Sequence, residues 1–179
     1  MFAKLAVFLL PAFVAGQAYG PPPGPAAPST TSAAAAVIPS APANSGNQIN
    51  INVGAGGAFI YSPANISAPV GSLVTFYFPG DIPHSVSQST FANPCTYLAA
   101  DPNNASAPVG FDSGLVTAST FTINVTDENP IWFHCRQLTH CGSGMVGSIN
   151  APLNGTNTYA NFLAAAVALG GNAPNVSLG

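Results

Sequence analysis

Charged side chains are scarce in this 179-residue chain, which has two Lys and Arg residues and five Asp and Glu residues. Nucleic-acid-binding proteins need a basic surface, so that class of function is excluded. The low charge also provides little long-range electrostatic steering toward any partner. Three cysteines, three histidines and two methionines are the few side chains that offer soft or borderline donors to a metal.

Residues 1–18 have the features of a secretory signal peptide. Lys4 precedes an apolar run that ends at Val14, and small residues follow it. The run is too short to cross a bilayer, because a membrane-spanning helix needs roughly 20 apolar residues. We therefore expect a secreted, extracellular protein with no transmembrane segment after signal removal. Association with a cell wall is left open.

The remaining chain divides by composition. Residues 19–46 are uncharged and rich in Pro, Ala, Ser and Thr, which indicates a flexible linker. Residues 47–150 are long enough to bury one core and form the predicted domain. In residues 151–179, helical spacing of apolar side chains from 157 to 169 predicts a short C-terminal helix before a tail. A lipid-anchor signal is the alternative, but it needs an apolar end, whereas residues 170–179 are polar and rich in Gly.

Five Asn-X-Ser/Thr sequons are present in this nearly uncharged chain. Because a secreted protein with few charges gains solubility from sugar, the sequons predict a glycoprotein. The candidate sites are Asn65, Asn104, Asn124, Asn154 and Asn175.

Short runs of alternating or β-branched and aromatic residues follow one another between turn signals. Such a pattern, without a convincing helix among the runs, predicts an all-β sandwich. The predicted strands are 48–53, 59–62, 72–78, 82–87, 119–125, 130–133 and 145–149.

The segment 132–149 contains the most specific chemical pattern. Cys135, His140 and Met145 are each separated from the next by four residues. A thiolate, an imidazole and a weak axial thioether are ligands of a type 1 (blue) copper ion, which also takes a second imidazole. His84 is the candidate for that position. The sequence therefore predicts one copper ion bound by His84, Cys135, His140 and Met145.

Three cysteines in a secreted protein is an odd number that needs an explanation. If Cys135 is the copper thiolate, Cys95 and Cys141 remain, and we expect them to pair in an oxidising compartment. The rival pairing of Cys135 with Cys141 would remove the thiolate from the metal. We favour the Cys95–Cys141 bridge.

The segments HSVSQSTFANPC, FDSG, PIWFHCRQ, HC and GMVGSIN resemble secreted fungal cupredoxin-domain proteins of the extracellular serine-rich type. The order of the ligands resembles the phytocyanin-type arrangement within the cupredoxin superfamily. The resemblance implies a Greek-key β-sandwich, the same four copper ligands and the same disulfide. One departure is Ser85, because many cupredoxins have Asn after the first histidine to brace the ligand loop.

The pattern favours one-electron transfer by a monomer whose redox partner the sequence does not identify. An enzyme is not expected. Arg136 follows the metal cysteine and no His-X-His pair exists, so a trinuclear oxygen-reducing copper site cannot form. His134 is expected to be an ordinary exposed or half-buried residue on the other face of its strand. The alternative function is a structural or cell-surface glycoprotein that makes little redox use of its fold.

Overall fold

The computed structural model describes residues 40–174, which form two four-stranded β-sheets and one short α-helix. The predicted signal peptide, most of the predicted linker and Asn175 lie outside the described residues. The elements in chain order are β1 (Gln48–Val53), β2 (Tyr61–Ser62), β3 (Asn65–Ile66), β4 (Leu73–Phe78), β5 (Ser87–Ser89), β6 (Ser119–Asn124), β7 (Ile131–His134), β8 (Val146–Ile149) and α1 (Tyr159–Leu169).

The first sheet has the strand order β2-β1-β4-β6 and the second has the order β3-β8-β7-β5. Strands β1 and β4 pair in parallel, as do β3 and β8, and the other neighbours are antiparallel. Alternation sets the register. In β6, the side chains of Phe121 and Ile123 are partly buried, whereas the alternate residues Thr120 and Thr122 are exposed.

The core lies between the two sheets. The largest buried side chains of the core come from both sheets. Phe76 on β4 contacts Phe133 on β7 edge to face, at a centroid distance of 5.3 Å. Complete burial of such a side chain contributes roughly 1.5–3 kcal/mol to folding. The predicted all-β sandwich is confirmed.

A second apolar cluster covers the outer face of the second sheet. Helix α1 packs Phe162 and Ala166 against Trp132 of β7 and Val146 of β8. The helix begins after Thr158, whose side-chain oxygen accepts a hydrogen bond from the Asn161 backbone N–H. The predicted C-terminal helix is therefore present. None of the helices found within residues 40–174 has both the length and the apolar character needed to span a membrane.

The predicted strand at 82–87 is wrong, because regular pairing begins only at Ser87. Pro83 lacks a backbone N–H and cannot donate to a ladder. His84 instead forms an isolated bridge with Val116, in which each residue accepts from the other's N–H, at 3.1 and 2.9 Å. This bridge fixes the backbone of His84 without a continuous strand.

Candidate metal centre

Three of the predicted ligands converge in the structure. The candidate donor atoms of His84, Cys135 and His140 all lie within 4.8 Å of one another. The Cys135 Sγ atom is 3.9 Å from His84 Nδ1 and 3.5 Å from His140 Nδ1. The three residues are 2%, 0% and 4% exposed, so the cluster is shielded from water.

The separations fit a single metal ion between these atoms. Metal–nitrogen and metal–sulfur bonds of roughly 2.0 and 2.3 Å, at an angle of about 110–130°, place the two donors about 3.5–3.9 Å apart. Cys135 is not in a disulfide, so its thiolate is available. One thiolate with two imidazoles is a donor set that suits copper. The residues present therefore support a copper-binding site.

Met145 lies at the far end of the loop that carries the other two ligands of this segment. Its carbonyl oxygen accepts from the Cys135 N–H at 3.0 Å, and its own N–H donates to the His140 carbonyl at 2.9 Å. Its side chain is fully buried and shares the core with Cys135. The backbone bonds thus hold Met145 beside both residues, and its thioether is the candidate axial donor.

The His84 ring packs closely against the backbone of Gly54. A Cβ atom on Gly54 would lie 2.1 Å from His84 Nε2, and Gly54 has φ +68°, in the left-handed region. Glycine therefore satisfies both a steric and a conformational demand here. The sequence showed only that this segment is rich in glycine.

Ser85 joins the two loops at the site. Its N–H points at Cys135 Sγ at 3.4 Å, and its side-chain oxygen accepts from the Arg136 N–H at 2.9 Å. Its carbonyl oxygen accepts from the Tyr61 hydroxyl at 2.6 Å. Despite its short side chain, Ser85, which follows the first histidine, is thus hydrogen-bonded to Arg136, which follows the cysteine.

Burial sets the protonation states of the metal-free cluster. It lowers the pKa of His84 to about 4, with a smaller effect from His140, and it lowers the pKa of His140 as well. Both imidazoles are therefore neutral near pH 7 and able to bind a metal. Burial raises the pKa of the Cys135 thiol, against the smaller opposing effects of hydrogen bonds from Ser85 and Gln137 and of the Arg136 charge. A metal ion that binds here must displace the thiol proton.

His140 is covered by an aromatic ring that the sequence did not reveal as part of the site. The Phe59 ring stacks on its imidazole, with centroids 3.8 Å apart and planes 23° apart. Phe59 is itself 37% exposed. Phe59 is therefore accessible to solvent, whereas the His140 imidazole beneath it is buried.

The expectation that His134 is exposed or half-buried is wrong. It does lie opposite Cys135 across its strand, but it is 1% exposed. The Cys95–Cys141 disulfide and the residues Ala173 and Pro174 after α1 line the small space beside it. Neither ring nitrogen finds a hydrogen-bond partner among the described residues, and burial lowers the pKa of His134 to about 4. It is not a member of the metal cluster.

The structure contains the Cys95–Cys141 disulfide, with an S–S distance of 2.03 Å and a sequence separation of 46. Cys141 directly follows His140, so the bridge ties the ligand loop to the irregular segment after β5. The rival Cys135–Cys141 pairing does not occur, and Cys135 stays free.

The four candidate glycosylation sites within residues 40–174 are all exposed. They are Asn65, Asn104, Asn124 and Asn154. The Asn65 side-chain oxygen accepts a hydrogen bond from the Ser148 hydroxyl on β8 at 2.8 Å, and that of Asn104 accepts one from the nearby Ser106 N–H at 3.1 Å. Exposure makes each of them accessible to modification.

Comparisons with known proteins extend these observations. No family model matches the chain. It is 32% identical over 127 residues to a probable GPI-anchored cupredoxin-1 from Arthroderma benhamiae, an alignment that covers 71% of this chain and 63% of that relative. The chain thus matches less than two thirds of the relative's length.

Solved structures similar to this one include a purple cupredoxin from Nitrosopumilus maritimus, at 25% identity, and oxidised plastocyanin from Dryopteris crassirhizoma, at 21% identity. Each alignment covers 56% of this chain and 96% of the other, with a TM-score of 0.39. The match to the curated fungal relative agrees with the two-sheet topology and with the His–Cys–His cluster at one site. The chain is thus similar in sequence to a fungal cupredoxin, and its structure is an all-β sandwich of two sheets with a short C-terminal helix.

Proposed function

We propose that this protein binds one type 1 copper ion and transfers single electrons. The observation that supports it is the buried convergence of His84, Cys135 and His140 around one point. We assign Met145 as the fourth residue that would hold the ion, because its backbone is hydrogen-bonded to both Cys135 and His140. Bound copper would supply a one-electron couple between Cu(I) and Cu(II).

The chain's own residues would keep the geometry the same in both oxidation states. Gly54 and the Val116 bridge restrain His84 from two sides. The disulfide at Cys141 and the hydrogen bonds of Met145 restrain the other ligand segment. Since little has to move when an electron arrives, the reorganisation is small and transfer is fast. The buried, apolar surroundings exclude water and raise the potential of the site.

We also propose that the protein is secreted and glycosylated and acts at or outside the cell surface. The apolar, weakly charged start of the sequence and the exposed sequons support this location. The fungal relative is described as probably GPI-anchored. We propose no enzymatic activity, because the three histidines of the chain include no His-X-His pair for a second copper centre.

Voltammetry of the copper-loaded protein tests the proposal against the structural alternative. We expect one copper per chain and a single reversible one-electron wave. Met145→Gln should keep the wave and move it to lower potential, because an amide oxygen stabilises Cu(II) better than a thioether does. A wild-type protein that takes up no copper would leave only the structural glycoprotein. An unmoved potential in Met145→Gln would show that Met145 is not the axial ligand.

A further inference from the structure

Arg136 is the only Lys or Arg among residues 40–174, and it directly follows the copper-site cysteine. Its guanidinium Nη1 donates to Asp112 Oδ2, and the two side chains are only 15% and 21% exposed. No other salt bridge occurs in the part of the chain that the structure describes. A sequence nearly without charges thus places its one basic side chain, paired with an acid, beside the metal ligand.

The ion pair belongs to a closed set of hydrogen bonds around the thiolate. Asp112 Oδ1 accepts from the Ser87 hydroxyl at 2.8 Å, and the Ser87 and Ser85 hydroxyl oxygens are 3.0 Å apart. Ser85 in turn accepts from the Arg136 N–H and points its own N–H at Cys135. The guanidinium is therefore linked back to its own backbone through Asp112, Ser87 and Ser85.

Three separate parts of the chain meet in this set. Ser85 and Ser87 come from the segment that contains His84, Asp112 from the long irregular segment before β6, and Arg136 from the ligand loop. The Ser85 and Ser87 side chains are fully buried. Partly buried charges are screened by solvent much less than exposed ones, so either charge, if it lost its partner, would act on the nearby site with appreciable strength.

We propose that the Asp112–Arg136 pair holds Ser85 against Cys135 and keeps two opposite charges balanced beside the site, so that loss of either charge alone would shift the reduction potential. This inference rests on the proposed copper function. Oxidation of the copper–thiolate unit adds one positive charge. A lone positive charge beside it therefore favours the reduced form, and a lone negative charge favours the oxidised form. While the two partners are paired, their opposite effects largely cancel.

Neutral variants of each partner separate the charge effect from structural damage. In copper-loaded protein, Arg136→Gln leaves Asp112 unpaired and should lower the potential. Asp112→Asn leaves Arg136 unpaired and should raise it. The double variant should return toward the wild-type potential. Arg136→Lys retains the charge and should lie closer to the wild type than Arg136→Gln does.

Asp127→Asn is the matched control. Asp127 is exposed and accepts a hydrogen bond only from the nearby Asn129 N–H at 2.8 Å. Asp127→Asn removes one negative charge, as Asp112→Asn does, but at a position outside the network. The reduction potential should therefore not change. General damage to the site would move both single variants in the same direction. The proposal would be overturned if Arg136→Gln and Asp112→Asn shifted the reduction potential in the same direction, or if neither shifted it more than Asp127→Asn does.

A readout without metal completes the test. In the metal-free protein, the unfolding midpoints of the wild type, the two single variants and the double variant form a double-mutant cycle. We expect the double variant to lose clearly less stability than the sum of the losses in the two single variants. Additive losses would overturn the positioning role. Failure of the wild type to bind copper would instead defeat the proposed function and leave this cycle interpretable.

Discussion

The Phe59 ring covers the His140 imidazole at a centroid distance of 3.8 Å. We expect Phe59→Ala to expose this candidate ligand and to speed electron exchange of the copper-loaded protein with small soluble oxidants and reductants. The physical reason is the shorter distance between the reagent and the imidazole edge. Stopped-flow kinetics measures the rate.

Ile60→Ala is the control for this prediction. Ile60 is the neighbouring residue and is 49% exposed, but it is not stacked on a ligand. We expect Ile60→Ala to exchange electrons with these reagents at nearly the wild-type rate. Equal rates for the two variants would show that Phe59 does not limit access to His140.

Gly54→Ala should damage the metal site specifically. The new Cβ would overlap the His84 ring, with a separation of 2.1 Å from Nε2, so His84 must move. We expect copper affinity to fall by about tenfold or more, since displacement of a ligand acts at least as strongly as loss of its supporting contacts. Competition with a copper chelator measures the affinity.

Gly56→Ala separates this steric effect from backbone strain. Gly56 has nearly the same φ, at +66°, but a Cβ there would meet nothing within 4 Å. Both variants should lose about 1–2 kcal/mol of stability from left-handed backbone strain. Only Gly54→Ala should lose copper affinity, and similar affinities in the two variants would contradict the close approach to His84.

Removal of the disulfide should cost stability. The bridge closes a loop of 46 residues, which the chain-entropy treatment values at about 4 kcal/mol. We expect Cys95→Ala/Cys141→Ala to unfold at a clearly lower denaturant concentration than the wild type, in metal-free protein. Changing both cysteines avoids a new free thiol. An unchanged midpoint would show that the bridge does not stabilise the folded chain.

Acid should destabilise the metal-free protein between pH 6.5 and 4. Burial lowers the pKa of His84 and of His134 from 6.5 to about 4, so in this window the unfolded chain binds protons that the folded chain does not. The free energy of unfolding therefore decreases as the pH falls. Denaturant titrations at several pH values measure it.

His134→Phe tests the share of one residue in this pH dependence. The substitution removes a buried imidazole outside the metal cluster and leaves a ring of similar size. We expect the variant to lose less stability between pH 6.5 and 4 than the wild type does. Equal losses would mean that His134 is not a buried neutral imidazole in the folded protein.

Much of the fold could be predicted because its signals are local. Alternation identified β1 and β6, a run of β-branched and aromatic residues identified β4, and helical spacing identified α1. The ligand candidates could be predicted because their residue types are rare. Of three histidines, His84 and His140 converge on Cys135 in the structure.

The contacts around the site could not be predicted, because they join loops that are distant in the sequence. No periodic pattern shows that Phe59 stacks on His140, or that Asp112 pairs with Arg136. The burial of His134 was missed for a related reason. The outer face of its strand is covered only after helix α1 and the disulfide have packed on the sheet.

Titration of the metal-free protein with Cu(II), followed by visible absorption, tests the copper site most directly. We predict an intense band at about 600 nm from thiolate-to-copper charge transfer that saturates at one copper per chain. The band should be absent in Cys135→Ser and in His84→Gln, and it should persist in His134→Gln, which changes the histidine outside the cluster. A colourless wild-type protein, or a band that survives in Cys135→Ser, would contradict the type 1 copper site.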